Sequence, residues 1–182
     1  MRILLSSIMV VMLSSVIVLG QADSFPSILE SARQGSLNAQ NEVGIMYSEG
    51  DGVRPNQRKA VYWFRKSAEG GYPLGACNLG LHYGFGWGVP KNKTLLMKWV
   101  FIAHLLDGLK CHPADYIEHF KVNECQIEKG WELGVAWMRT HPDLKNSFDE
   151  RPWMETEKAY PVTVREHGGS TKLPIKRSRK CK

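Results

Sequence analysis

Apolar residues recur along this chain at helical spacing. Residues 37–48 carry Ala39, Val43, Met46 and Tyr47 on one face, close to i, i+4, i+7, i+8, and predict an amphipathic helix. A second helix is predicted by Ala60, Trp63, Phe64 and Ala68, a third by Ala76, Leu79, Gly80 and Tyr83, and a fourth by Leu96, Trp99, Val100 and Ala103. Residues 113–122 form a weaker pattern, with Tyr116, Ile117 and Phe120 on one side. Residues 126–139 place Ile127, Trp131, Gly134, Val135 and Met138 along one stripe before Thr140-His141-Pro142 stops the helix. Beyond Pro142 the periodicity ends. Prolines, Gly168-Gly169-Ser170 and mixed charge predict an extended or disordered tail over 143–182.

The four helices of the middle form two copies of one unit. Residues 32–67 and 68–103 align without a gap at an offset of 36 and share nine identities. These are Ala32/Ala68, Gly35/Gly71, Gly44/Gly80, Tyr47/Tyr83, Gly50/Gly86, Gly52/Gly88, Val53/Val89, Asn56/Asn92 and Trp63/Trp99. Each has a physical task. Gly44 and Gly80 stand inside helices, where glycine costs about 1 kcal/mol against alanine. A cost incurred twice implies a benefit gained twice, namely the close approach of a neighbouring helix. Gly50-Asp51-Gly52 and Gly86-Trp87-Gly88 supply the freedom for a turn. Asn56 and Asn92 are placed to cap the following helix. Trp63 and Trp99 are the large knobs that small residues receive. Asn92-Lys93-Thr94 also matches a glycosylation acceptor, but the capping role already accounts for Asn92.

The string Gly35-x3-Ala39-Gln40-x3-Gly44-Ile45-Met46-Tyr47-x2-Gly50-x-Gly52-Val53, followed by Lys59-Ala60-x2-Trp63-Phe64-x-Lys66-x-Ala68-x2-Gly71, resembles the Sel-one-like repeat (SLR) family, a relative of the tetratricopeptide repeats. The second copy departs from it, with Gly75-Ala76 for Ala-Gln, Leu95-Leu96 for Lys-Ala and His104 at the position of Ala68. The resemblance covers about residues 32–108 and implies an all-α, short right-handed α/α solenoid. The segment 126–139 looks like the closing helix of exported SLR proteins. Solenoid ends need a cap with one polar face, so residues 111–142 are expected to cap a domain spanning 23–142.

The N-terminus carries a different pattern. Met1-Arg2 precedes an uncharged run from Ile3 to Gly20, and Gly20-Gln21-Ala22 puts small residues before Asp23. This predicts an export signal over 1–22 and a secreted or periplasmic product. The alternative is an uncleaved anchor, which would make the chain a membrane-tethered regulator.

Composition adds one refinement. The net charge of +6 belongs to the C-terminus: residues 172–182 hold Lys172, Lys176, Arg177, Arg179, Lys180 and Lys182 and no acid, so residues 1–171 are formally neutral. Nucleic acid is not expected as a partner. The tail cations suit an anionic surface or lipid, at about 1 kcal/mol per cation near a membrane.

Four cysteines in an exported chain imply disulfides. Cys111 and Cys125 flank the weak helix and are expected to pair, with Cys77 a small buried residue and Cys181 free or intermolecular. Cys111, His112, His119 and Cys125 do not have a compact metal-ligand spacing, so no metal and no cofactor is expected. Gly84-Phe85-Gly86-Trp87-Gly88 follows a helix rather than a strand and reads as a turn, not a phosphate loop. His82, Trp87 and His104 stand where the copies differ and are the candidate partner contacts. Some cysteine-rich SLR proteins are linked to β-lactam chemistry, but this chain has no Ser-x-x-Lys and no Lys-Thr-Gly. The expected function is a non-catalytic interaction module, an adaptor or scaffold for an unknown protein. The alternative is a hydrolase acting on cell-wall or β-lactam compounds.

Overall fold

A computed structural model of the chain describes residues 24–106, 111–147, 161–166 and 169–174. Among the described residues seven α-helices follow in order: α1 (Phe25–Arg33), α2 (Leu37–Glu49), α3 (Gln57–Glu69), α4 (Pro73–Phe85), α5 (Lys93–Leu106), α6 (Pro113–Phe120) and α7 (Glu124–Thr140). From α1 to α5 each helix packs on the next, and α7 then packs on α5. The result is an all-α solenoid of helix pairs. A 3-10 turn, Pro142–Ser147, follows α7. Within the segment expected to be an extended or disordered tail, Pro161–Glu166 and Gly169–Pro174 pair as an antiparallel hairpin.

The two repeats begin and end their helices by the same local chemistry. Asn56 Oδ1 accepts from the backbone N–H of Lys59 and Asn92 Oδ1 from that of Leu95, both at 3.0 Å. Each therefore satisfies a donor that the first turn of a helix leaves unpaired. At the other end Gly50 and Gly86 close α2 and α4 in the left-handed region, at φ 88° and 83°. The turns that follow are stitched alike, Asn56 N–H to Tyr47 C=O at 2.7 Å and Asn92 N–H to Tyr83 C=O at 2.8 Å. The closing helix has a stronger start. Asn123 and Gln126 form a reciprocal capping box at the head of α7, which the Asn-x-x-Gln spacing encodes.

The core runs continuously from Ile28 and Ala32 through Val43, Phe64, Leu79 and Trp99 to Ile102 and Met138. Trp63 and Trp99 are both buried. Trp99 also meets Trp137 of α7 edge-on at 6.1 Å, which carries the core into the closing helix. At the join, Gly130 and Gly134 let the α7 backbone lie against Met97, Lys98 and Phe101 of α5.

The expected Cys111–Cys125 bridge is not formed. Cys77 pairs with Cys111, at a Cα separation of 6.2 Å. The reason is spatial: α4 presents Cys77 to the entry of α6, and the Tyr116 hydroxyl lies 2.9 Å from the Cys77 sulfur and 3.3 Å from that of Cys111. Cys125, in the first turn of α7, is also disulfide-bonded, to neither of these two. Cys181 lies outside the described residues. Closing a 34-residue separation is worth on the order of 3–4 kcal/mol in the chain-entropy model.

Adjacent aromatics on α3 make a sharp test of this packing. Trp63 is 8% exposed and Tyr62 is 52% exposed. Trp63→Ala should destabilise the domain by roughly 3–5 kcal/mol in chemical denaturation, while Tyr62→Ala should stay within about 0.5 kcal/mol of the parent.

Candidate partner-binding surface

Positions 38, 42, 45 and 49 of α2 form one helical stripe, spaced i, i+4, i+7, i+11. They hold Asn38, Glu42, Ile45 and Glu49, of which all but Ile45 are exposed. The same stripe on α4 holds Leu74, Asn78, Leu81 and Phe85. Two bonds set the stripes side by side: Asn78 Nδ2 donates to Asn41 Oδ1 at 2.9 Å, and the Tyr72 hydroxyl donates to Asn38 Oδ1 at 2.8 Å. The face they form is acidic on the first repeat and apolar on the second.

The turns extend this contrast. Asp51 and Trp87 each donate a backbone N–H into the last turn of the preceding helix, to Met46 C=O at 3.2 Å and His82 C=O at 3.0 Å. Both side chains are therefore put at the same outward position. Trp87 is 46% exposed and stacks on Phe85, itself 40% exposed, at 4.3 Å and 14°. Phe120 supports Phe85 edge-on at 4.8 Å, and His119 flanks it at 5.8 Å. A side chain at position 88 would run into the Gln57 carbonyl, so the second turn packs closely on the start of α3.

Of the three candidate contacts, only Trp87 lies in this exposed ledge. His82 is a correction: it is interior, 4% exposed, and packs on Phe64 and Trp87 at 4.9 and 5.6 Å. Its Nδ1 donates to the Asn78 carbonyl at 2.9 Å, and its Nε2 lies 3.1 Å from the Gln57 amide. Gln57 in turn donates to the Ser48 carbonyl at 2.9 Å. His82 is thus a clamp joining the two repeats beneath the ledge. His104 stands apart, half-buried beside His112 at 5.8 Å. Phe85 and His119, absent from the candidates, complete the ledge. Cys111 is committed to a disulfide and offers no thiolate to a metal. Among the described residues no group of three or more His, Cys, Asp or Glu is placed to hold an ion. Lys172 falls in the second strand of the hairpin, and Lys176, Arg177, Arg179, Lys180 and Lys182 lie outside the described residues.

Residues 37–72 and 73–95 match the Sel1 repeat family. The chain carries Sel1-like repeats. Over 74 residues it is 37% identical to an F-box protein of Arabidopsis thaliana, a match covering 41% of this chain and 19% of that protein. The match thus spans about a fifth of that relative. Among solved structures, a protective antigen of uropathogenic Escherichia coli displaying an SLR fold has a TM-score of 0.63 at 21% identity. That likeness covers 86% of this chain and 33% of the antigen, and it concerns the fold. A Sel1 repeat protein of Oxalobacter formigenes has a TM-score of 0.42 at 24% identity, covering 70% of this chain and 92% of that one. Sel1 repeats form a protein-interaction fold that is generally non-catalytic.

Burial lowers the pKa of His82, against a raising contribution from its bond to Asn78. Burial also lowers that of His104, helped by neighbouring His112 and opposed by the Cys111 backbone. Below the ordinary imidazole value the unfolded chain then binds more protons than the native protein. Stability is present above that value and is lost as pH falls through the folded values. Thermal unfolding midpoints should drop as pH is lowered through about 6.5, and His82→Gln should flatten that slope.

Proposed function

We propose that this Sel1-like repeat protein is an exported, non-catalytic adaptor that seats a protein partner on the face of α2 and α4. The observation that carries the reading is the stacked Phe85–Trp87 pair, held outward by a rigid turn and supported from beneath by Phe120. Aromatic side chains of this kind, fixed before binding, form the anchors of protein interfaces because they bury much area and lose little rotamer freedom. Export is supported by the uncharged run from Ile3 to Gly20 and by the chain's reliance on a disulfide. The non-catalytic reading is supported by the absence of a serine-lysine constellation from the sequence.

Crosslinking in the native compartment, followed by recovery of the full chain, tests the adaptor. The partner recovered with the parent protein should be lost with Trp87→Ala, at a cost of about 2 kcal/mol or more in binding, and retained with Asp51→Ala. Equal recovery with Trp87→Ala would overturn the ledge as the anchor. Nitrocefin turnover above that of a Trp63→Ala control would overturn the non-catalytic reading. Mass spectrometry of the mature protein should find Asp23 at its N-terminus.

A further inference from the structure

The outer side of α3 is exposed through Arg58, Lys59, Tyr62, Arg65 and Lys66. The corresponding positions of α5, at the offset of 36, are Thr94, Leu95, Lys98, Phe101 and Ile102. There α7 lies across the helix, with Gly130 against Met97 and Lys98 and Gly134 against Lys98, Phe101 and Ile102. Phe101 and Ile102 are fully buried as a result. The repeat thus has an outward face on which another helix can lie, used on α5 and left open on α3.

The chemistry of that open face is one-sided. Residues 54–98 hold eight Lys and Arg and a single acid, Glu69, although the chain up to residue 171 is neutral. The balancing acids lie on either side: residues 30–51 and 115–143 are both net negative. The two ion pairs among the described residues, Arg33–Glu30 and Lys129–Glu132, are elsewhere. Tyr62 stands within the cations, with the Lys66 ammonium 5.2 Å from its ring centre. Arg65 is held in place by donating to the Tyr83 hydroxyl at 3.0 Å. Lys98 adds a further cation within electrostatic reach of Arg65.

From these observations we infer that the outer face of α3 docks an acidic polypeptide segment. Arg58 and Arg65 are about 10 Å apart along the helix, and each offers the planar fork that binds a carboxylate through two hydrogen bonds. The cations stand in a row along one side of a single helix, and Glu69 closes the row at the end of α3. A single row of cations along one helix matches an acidic polypeptide segment laid beside it. The cationic row of α3 is distinct from the Phe85–Trp87 ledge, which is aromatic and stands on α4 and the turn that follows it.

The test is anisotropy titration of the full-length oxidised protein with a fluorescein-labelled octaglutamate peptide, beside an octaglutamine control. Binding should be specific to octaglutamate and fall steeply from about 50 to about 200 mM salt. Arg58→Glu, which disturbs no hydrogen bond of Arg58 seen among the described residues, should weaken it more than fivefold, and adding Arg65→Glu should abolish it. Arg58→Lys with Arg65→Lys should retain a measurable fraction, and Trp87→Ala should leave it unchanged. Circular dichroism checks that each variant is folded. Octaglutamate binding that survives Arg58→Glu would place the attraction in the basic tail and overturn the inference. Phosphatidylglycerol vesicles that bind as well as the peptide, with the same dependence on Arg58, would overturn the assignment to a polypeptide.

Discussion

At Gly44 the ring of Phe64 stands 2.5 Å from where a Cβ would be. No side chain fits there, and that single exclusion sets how closely α2 and α3 approach. Gly80 repeats it in the second unit, where the Leu96 carbonyl and the Val100 side chain stand 3.2 Å from the missing Cβ. Glycine inside a helix is unfavourable in isolation. It is retained because interiors pack at crystal-like density and a side chain would force the pair apart. The remaining geometry follows. Close pairing fixes where each helix ends, the glycine turn fixes the entry to the next helix, and the asparagine cap fixes its first turn.

Rigid pairing also explains how a short solenoid presents surfaces of such different character. In each repeat the same backbone puts one stripe outward from the first helix and another from the second. The most exposed residues in those stripes carry little of the core packing and can diverge. On α2 and α4 Glu42 and Glu49 give way to Asn78 and Phe85, and in the turns that follow Asp51 gives way to Trp87. On α3 the stripe is basic and exposed, while on α5 it is apolar and covered by α7. A protein-interaction fold of two repeats thus carries an aromatic ledge and a cationic band on separate helices. The His82–Gln57–Ser48 clamp holds the repeats in register, so the two surfaces keep a fixed relation.

The repeated features were the most legible in the sequence, because a physical requirement that occurs twice leaves the same residue twice. Glycine turns, asparagine caps and tryptophan knobs all stand as the pattern indicates. The disulfide was not legible. Cys77 and Cys111 meet through the placement of α6 beside α4, which no local spacing encodes. His82 is interior for a reason that the repeat itself encodes. At the offset of 36 it corresponds to Met46, a buried position. Trp87 corresponds to exposed Asp51, and Phe85 to exposed Glu49. The alignment therefore held the signal that separates a core histidine from a surface aromatic. The cationic band is hidden in the net charge because opposite charges elsewhere in the chain cancel it in the total.

The central claim is that packing within the repeats sorts otherwise similar aromatics into a buried set and an outward set. Hydroxyl-radical footprinting of the full-length oxidised protein, read by mass spectrometry, measures this directly. Tyr62, Phe85 and Trp87 should be oxidised rapidly, while Trp63, Phe64 and Trp99 should be protected until the protein is denatured. Protection of Phe85 and Trp87 in the isolated protein, or rapid oxidation of Trp63 and Trp99, would contradict the account.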